Sequence, residues 1–180
     1  VAFSLATADA QQGKPNFIVV FCDDLGYADI GPFGSKTHAT PVLDKMAKEG
    51  MRLTDFYSTC SVCNPSRSSL MTGCYPRRVN MHVDEKNLCV LFPAASKGLN
   101  PSEITIAEIL KTKGYATACF GKWDLARHSQ RKFNPKLMPN HQGFDYFFGT
   151  PTSNDGFVDI YRNGKRIEEK ADMNLLTQRY

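Results

Sequence analysis

Residues 63–73 read CNPSRSSLMTG, and this segment decides how the rest of the chain is interpreted. Pro65 fixes φ near the helical value and suits the first turn of a helix, where its missing N–H costs nothing. Gly73 is the residue type that most often follows the last turn of a helix. The segment therefore predicts a helix that begins at or just after Cys63 and ends near Gly73.

The start of this helix is predicted to favour an anion. Backbone N–H groups and the helix dipole attract negative charge at a helix N-terminus, although Asn64 or Ser66 can cap some of those amides. Arg67 lies about one turn after Cys63 and adds a rigid, forked guanidinium. A cysteine, a helix N-terminus and an arginine are therefore expected to meet at one place.

Apolar and amphipathic runs on either side of this helix alternate as they do in α/β folds. Residues 17–22 and 115–120 are apolar runs of the kind found in strands that are covered on both faces. Helices are predicted over 41–49 and 105–113, the second with a capping box at its start, and another strand is predicted over 51–58. This order predicts an α/β fold with a mostly parallel sheet flanked by helices.

The C-terminal residues predict a β-hairpin. Asn163-Gly164 lies between strand-like runs at 158–162 and 165–169, and this dipeptide is a strong type I′ turn signal. A polar stretch follows it without another strand pattern. We therefore expect the α/β domain to be incomplete at its C-terminus.

The cysteine segment also resembles a known signature. Cys-x-Pro-Ser-Arg followed by Ser-x-Leu-x-Thr-Gly is similar to the motif of the type I sulfatases, the arylsulfatase-like branch of the alkaline phosphatase superfamily. Four further blocks stand in the order of that family: PNFIVVFCDDLGY at 15–27, TPVLD at 40–44, GKW at 121–123 and GFD at 143–145. The resemblance implies that residues 15–180 are the N-terminal part of a sulfatase catalytic domain with an alkaline-phosphatase-like fold.

For Cys63 the resemblance implies a chemical modification. A formylglycine-generating maturation enzyme would oxidise the cysteine to formylglycine (3-oxoalanine), whose hydrate is a gem-diol. One hydroxyl of the gem-diol would attack the sulfur of a sulfate ester, with Arg67 holding the nucleophile and Lys122 contacting the sulfate oxygens. The residues alone also allow an activated thiol, or a redox pair or half of a zinc site with Cys60. A zinc site would need a second ligand pair, and a redox pair gives Arg67 no role.

Adjacent carboxylates follow the first apolar run. Asp23 and Asp24 are hard oxygen ligands of the kind that bind Ca²⁺ or Mg²⁺, and Asp-Asp-Leu-Gly is equally good chemistry for a solvated turn. The resemblance implies calcium, held by Asp23, Asp24 and the modified Cys63. It also implies an Asp-Asn or Asp-His pair later in the chain, which the sequence does not contain.

One block departs from the pattern of the family. The family usually reads GKWHLG, with the histidine contacting the nucleophile or the substrate, whereas residues 121–126 here read GKWDLA. Asp124 is thus a candidate substrate-facing residue next to Lys122, and its negative charge should weaken the binding of sulfate. His128 is a weak candidate to replace the missing histidine. Trp123 is predicted to pack in the core.

Composition narrows the class of partner. The 180 residues carry a net charge of +4, which suits an anionic substrate but is too small and too dispersed to indicate nucleic acid. No apolar run is long enough to span a bilayer.

Residues 1–10 resemble the end of a signal peptide, so we expect an exported protein (periplasmic, extracellular or lysosome-like). Of the six cysteines, Cys22 and Cys119 lie in apolar runs and are predicted to be core residues.

The leading hypothesis for function is a sulfuric ester hydrolase that acts on a sulfated small molecule or a sulfated sugar. One alternative is a phosphonate monoester hydrolase or phosphodiesterase of the same superfamily. The other is a catalytically inactive fragment, because the downstream metal ligands are missing from the sequence. Neither nucleic acid nor a membrane span is expected.

Overall fold

The structure of the protein is a computed structural model that describes residues 13–91, 95–126, 134–154 and 158–180. The expected signal-peptide remnant at 1–10 and the candidate His128 lie outside these residues. The chain divides into two units between Thr54 and Asp55. Throughout the described part of the chain, every helix is too short or too polar to cross a membrane.

The first unit is built around one amphipathic helix. Helix α1 spans Pro41–Glu49, as predicted, with proline in its first turn and Gly50 at its end. The hydroxyl oxygen of Thr40 accepts a hydrogen bond from the N–H of Gly31 and donates one to the Asp44 carboxylate. These bonds join the start of α1 to the preceding 3-10 turn, Gly31–Phe33.

Two of the predicted strands are absent from the described residues. The run at 17–22 is exposed, with 87% of the Ile18 surface accessible, and both this run and the run at 51–58 lie outside the sheet. Cys22 is exposed, so its assignment to the core was wrong. The apolar pattern indicates a segment that would gain from burial, but a strand forms only where another backbone pairs with it.

The second unit contains a four-stranded sheet. Its strands are β1 (Ala118–Lys122), β2 (Tyr146–Thr150), β3 (Val158–Arg162) and β4 (Lys165–Ala171), in the order β1-β2-β3-β4. β1 and β2 are parallel, and the other two pairs are antiparallel. The sheet is therefore mixed: the expected parallel pairing occurs at β1 and β2, and the predicted hairpin supplies the last antiparallel pair.

Local signals at the turns and helix ends are confirmed. Residues Asn163 and Gly164 both have positive φ, of 46° and 81°, as a type I′ turn requires. Helix α3 spans Ile106–Thr112, and Thr105 and Glu108 form the predicted capping box at its start. Local hydrogen bonds determine these features, so they can be identified without knowledge of the rest of the fold.

Helix α2 spans Cys63–Thr72, as predicted, and Gly73 ends it with a φ of 68°. A short helix α4, Leu176–Arg179, follows the sheet. The main core of the second unit lies beside β1 and β2, and it joins buried side chains from the segments that precede and follow these strands. Its members include Met81, Leu99, Trp123, Leu125, Met138, Phe147 and Tyr161. The predicted α/β class is confirmed.

Candidate active site

Cys63 is the first residue of α2. The residue before it, Val62, has extended backbone angles and accepts the first helical hydrogen bond from the N–H of Ser66 at 3.2 Å. The N-cap residue is Val62, which makes no side-chain cap hydrogen bond, so neither Asn64 nor Ser66 stands at the capping position where it was expected. The amides of the first turn therefore remain directed towards the region around Cys63. The thiol sulfur occupies the position of the nucleophile that the resemblance implies.

The end of β1 brings a lysine to this thiol. The Nζ of Lys122 donates a hydrogen bond to the Sγ of Cys63 at 3.2 Å, although the two residues are 59 positions apart. Only 7% of the Lys122 side-chain surface is exposed. An ammonium this well buried has lost most of its hydration and must be compensated by groups of the protein. Lys122 is thus directed at Cys63 rather than at solvent.

The side chain of Arg67 contacts the main chain of the same lysine. The Nη1 of Arg67 donates a hydrogen bond to the carbonyl oxygen of Lys122 at 2.6 Å, in a partly buried position. This contact fixes the end of β1 against the second turn of α2. The prediction that Cys63, Arg67 and Lys122 share one region thus agrees with the geometry, while their chemical roles remain proposals.

Asp124 lies two residues beyond β1 and is buried, with 1% of its surface exposed. Its backbone has a left-handed φ of 58°, a conformation that aspartate tolerates better than most residues. The N–H of Asp124 donates to the carbonyl of Pro151 at 3.1 Å. Its Oδ2 lies 3.9 Å from the Nζ of Lys122. The carboxylate therefore forms an ion pair with the lysine ammonium, within the same buried region.

Asn64 is the residue of this region whose role sequence reasoning missed. It is 1% exposed, and its Nδ2 donates to the carbonyl oxygen of Asp124 at 2.8 Å. Its Oδ1 accepts a hydrogen bond from the N–H of Leu91 at 2.6 Å. A single side chain thus joins α2, the segment after β1 and the segment at Leu91. Its position between a cysteine and a proline gives no local sign of these distant partners.

Two neighbouring side chains belong to the core rather than to the chemistry. Trp123 is buried, and its Nε1 donates to the carbonyl of Leu137 at 3.0 Å, which confirms the predicted packing role. Cys119, on β1, packs against the core. Burial raises the pKa of its thiol to about 12, although the positive charge of Arg67 opposes the change. Cys119 is consequently protonated and unreactive at neutral pH.

The expected metal ligands Asp23 and Asp24 lie in the first unit. Both are exposed, and Asp24 has a φ of 51°, so the backbone turns where both carboxylates would need to reach one ion. Their oxygen donors and this turn fit a hard cation such as Ca²⁺. No group of three or more His, Cys, Asp or Glu side chains is gathered around a potential ion anywhere in the described residues. Calcium binding at Asp23 and Asp24 remains a prediction.

The sulfatase family model matches residues 15–179. The chain belongs to the sulfatase family. Steryl-sulfatase of Mus musculus is 44% identical over 149 residues, which are 83% of this chain and 24% of that protein. Arylsulfatase A of Homo sapiens is 42% identical over 152 residues, 84% of this chain and 28% of that protein. The chain thus spans about a quarter of the length of these sulfatases.

Solved structures support the same fold. The crystal structure of Ps i-CgsB superposes with a TM-score of 0.71 at 28% identity, covering 87% of this chain and 37% of that one. The putative sulfatase YidJ from Bacteroides fragilis has a TM-score of 0.68 at 24% identity, which bears on the fold alone, and the match covers 90% of this chain and 38% of that one. The described residues thus have the alkaline-phosphatase-like fold of sulfatases.

Proposed function

We propose that this chain contributes the nucleophile and part of the sulfate-binding site to a sulfuric ester hydrolase that cleaves sulfate monoesters. The observation that carries the proposal is the buried Lys122 ammonium at 3.2 Å from the Cys63 sulfur, at the start of α2. The membership of the sulfatase family supports it. A helix N-terminus and an ammonium together favour an anionic group at this point.

Each residue of the region has a distinct part in the proposal. Lys122 binds an oxygen of the sulfate group as a positive point charge. Arg67 holds the main chain of Lys122 and adds a second positive charge to the region. Cys63 is the position that a formylglycine-generating enzyme converts to formylglycine, with loss of the thiol sulfur. When formed, formylglycine supplies a hydrated aldehyde whose oxygen is the nucleophile.

A divalent cation is the second group that we propose. Asp23 and Asp24 would hold Ca²⁺, or Mg²⁺ in its place, through their carboxylate oxygens. Two adjacent carboxylates are too few to fill the six or more oxygen positions that Ca²⁺ prefers. The remaining ligands would come from residues other than those described. The cation would act as a Lewis acid.

The names of the relatives support a sulfated organic substrate. Steryl-sulfatase and arylsulfatase A are named for sulfated sterols and aryl sulfates, and one structural neighbour is described in complex with k-i-k-neocarrahexaose. We therefore propose a sulfated small molecule or a sulfated sugar as the substrate. Export from the cytosol remains part of the same proposal.

The test uses the full-length natural protein, produced with and without a formylglycine-generating enzyme. Peptide mass spectrometry should show an aldehyde at position 63 only when that enzyme is present, together with hydrolysis of an aryl sulfate. Lys122→Ala should lower kcat/KM by about 10²- to 10³-fold, the cost of losing one donor to a charged reacting group. Cys89→Ala, at an exposed free thiol, is the matched control.

Two outcomes would contradict the proposal. Cys63 that stays unmodified in the presence of the enzyme would exclude formylglycine chemistry at this position. Faster hydrolysis of an aryl phosphonate monoester than of the aryl sulfate would favour the phosphonate hydrolase alternative.

A further inference from the structure

The carboxylate of Asp124 forms a buried ion pair with the Lys122 ammonium, which also bonds to the sulfur at position 63. The Nζ of Lys122 is 3.2 Å from the Cys63 sulfur and 3.9 Å from the Oδ2 of Asp124. The Asp124 side chain is 1% exposed and that of Lys122 is 7% exposed. Because little water reaches the pair, their attraction is much less screened than that of a surface ion pair.

Asp124 does not need its carboxylate to keep its own place in the chain. Its N–H bonds to the carbonyl of Pro151, and its carbonyl oxygen accepts from the amide of Asn64. Both contacts use backbone atoms of Asp124 and would persist if the side chain were changed. The carboxylate adds a contact of its own, the ion pair with Lys122.

We propose that Asp124 is a positioning residue whose buried carboxylate holds the ammonium of Lys122 against position 63. Arg67 fixes the main chain of Lys122, and Asp124 fixes the end of its side chain. The lysine is thus held at both ends, in a pose directed at the nucleophile. The purpose of this pose, to receive a sulfate group, rests on the proposed function.

This inference reverses the effect expected from the sequence. An aspartate considered alone should repel an anion and weaken its binding. Here the ammonium makes a hydrogen bond to the Cys63 sulfur, and the carboxylate forms an ion pair with that ammonium. Removing the Asp124 carboxylate makes the potential at Cys63 more positive, because one negative charge is lost. If Lys122 then moves into solvent, the loss of its positive charge from the site outweighs that gain. The two interpretations therefore predict changes of opposite sign.

The test measures the electrostatic potential at unmodified Cys63 in this chain. Iodoacetate is an anion and iodoacetamide is neutral, and both alkylate the same thiolate. The ratio of their rates at Cys63, followed by peptide mass spectrometry at one pH, therefore cancels the fraction of thiolate. Asp124→Asn should lower the iodoacetate-to-iodoacetamide ratio by about threefold or more, the effect of moving a unit charge from contact to solvent. A ratio that stays the same or rises would overturn the proposal.

A second background tests whether Asp124 acts through the lysine. In Lys122→Gln, where no ammonium remains to be held, adding Asp124→Asn should raise the ratio, because only a negative charge is lost. A fall in that background would overturn the proposal, since Asp124 would then act by another route. A merely structural role predicts the same direction of change in both backgrounds.

Two controls keep the experiment decisive. Glu169→Gln removes the same charge from an exposed position on β4, at the edge of the sheet opposite β1, and should leave the ratio unchanged. Asp124→Gly provides a second variant if the asparagine variant does not fold, because glycine accepts the left-handed backbone at this position. Far-UV circular dichroism and thermal unfolding confirm that each variant is folded.

The result is separate from that of the activity assay. The alkylation ratio is read on an unmodified cysteine and needs neither formylglycine nor turnover. An inactive full-length protein with the predicted ratios would refute the proposed function and leave the positioning role standing. An active protein whose ratio rises in Asp124→Asn would do the reverse.

Discussion

Replacing Asn64 by alanine should destabilise the protein more than any other removal of a single amide side chain from this region. Asn64 is almost fully buried and satisfies two main-chain groups at once, the carbonyl of Asp124 and the N–H of Leu91. Both partners are themselves buried. In the alanine variant these two groups lose their hydrogen bonds without gaining water. A buried polar group left without a partner costs more free energy than the loss of a hydrogen bond at the surface.

The size of the effect follows from three contributions. Each buried group left without a partner costs about 1–3 kcal/mol, so the two together cost about 2–6 kcal/mol. Alanine has a higher helix propensity than asparagine, which returns at most about 0.7 kcal/mol near the start of α2. The net loss in the free energy of unfolding should therefore be about 1–5 kcal/mol.

Urea unfolding followed by circular dichroism measures this difference directly. Asn100→Ala is the matched control, because Asn100 is exposed and its Oδ1 accepts one local hydrogen bond, from the N–H of Ser102. The control should cost no more than about 1 kcal/mol. If Asn64→Ala lowers the free energy of unfolding by no more than Asn100→Ala, the bridging role of Asn64 is refuted.

Two further predictions concern the sheet and its pH dependence. Gly149→Ala should abolish soluble folded protein, because an added Cβ would overlap the backbone of Gly121 on the neighbouring strand. The yield of soluble protein and thermal unfolding measure this effect. A folded variant with an unchanged melting temperature would contradict the close approach of the two strands. The hydrogen bond from Lys111 is the main cause that holds the pKa of Asp145 below its usual value. The stability that it contributes is present above the unfolded pKa near 3.9 and is lost as the pH falls through the lower folded value, so Asp145→Asn should flatten the acid limb of a plot of unfolding free energy against pH. An equally steep acid limb in the variant would count against this ion pair.

Features governed by neighbours in the sequence could be predicted well. The helix at Cys63, the capping box at Thr105 and the turn at Asn163-Gly164 each depend on residues only a few positions apart. Their signals are backbone preferences and local hydrogen bonds. The ordered sequence blocks likewise sufficed to recognise the family, since they need no knowledge of distances.

Features governed by distant partners could not be predicted in the same way. The apolar run at 17–22 looks like a strand, but the described sheet does not include it, whereas the aromatic-rich strand Tyr146–Thr150 was not anticipated. Its aromatic residues are a strand signal that could have been used. β-propensity expresses how well a side chain fits a half-buried sheet surface, so the outcome depends on neighbours that the run itself does not identify.

The candidate site shows the same division. The sequence identified Cys63, Arg67 and Lys122 as members, and the structure brings them into contact through hydrogen bonds centred on the lysine. The roles of Asn64 and Asp124 depend on burial and on contacts between distant parts of the chain. The hydrogen bond from Asn64 to the carbonyl of Asp124 joins residues that are 60 positions apart. The sequence revealed that Asp124 was unusual, but its ion pair with Lys122 could be seen only in the structure.

The left-handed backbone at residue 124 also limits which amino acids natural variation or directed evolution can place there. Besides glycine, the residues that enter this conformation most readily are asparagine, aspartate and histidine. The aspartate of this chain and the histidine usual in the family belong to that short list. An exchange between them changes the local charge while the chain follows the same path, so this position offers a way to retune anion affinity without rebuilding the loop.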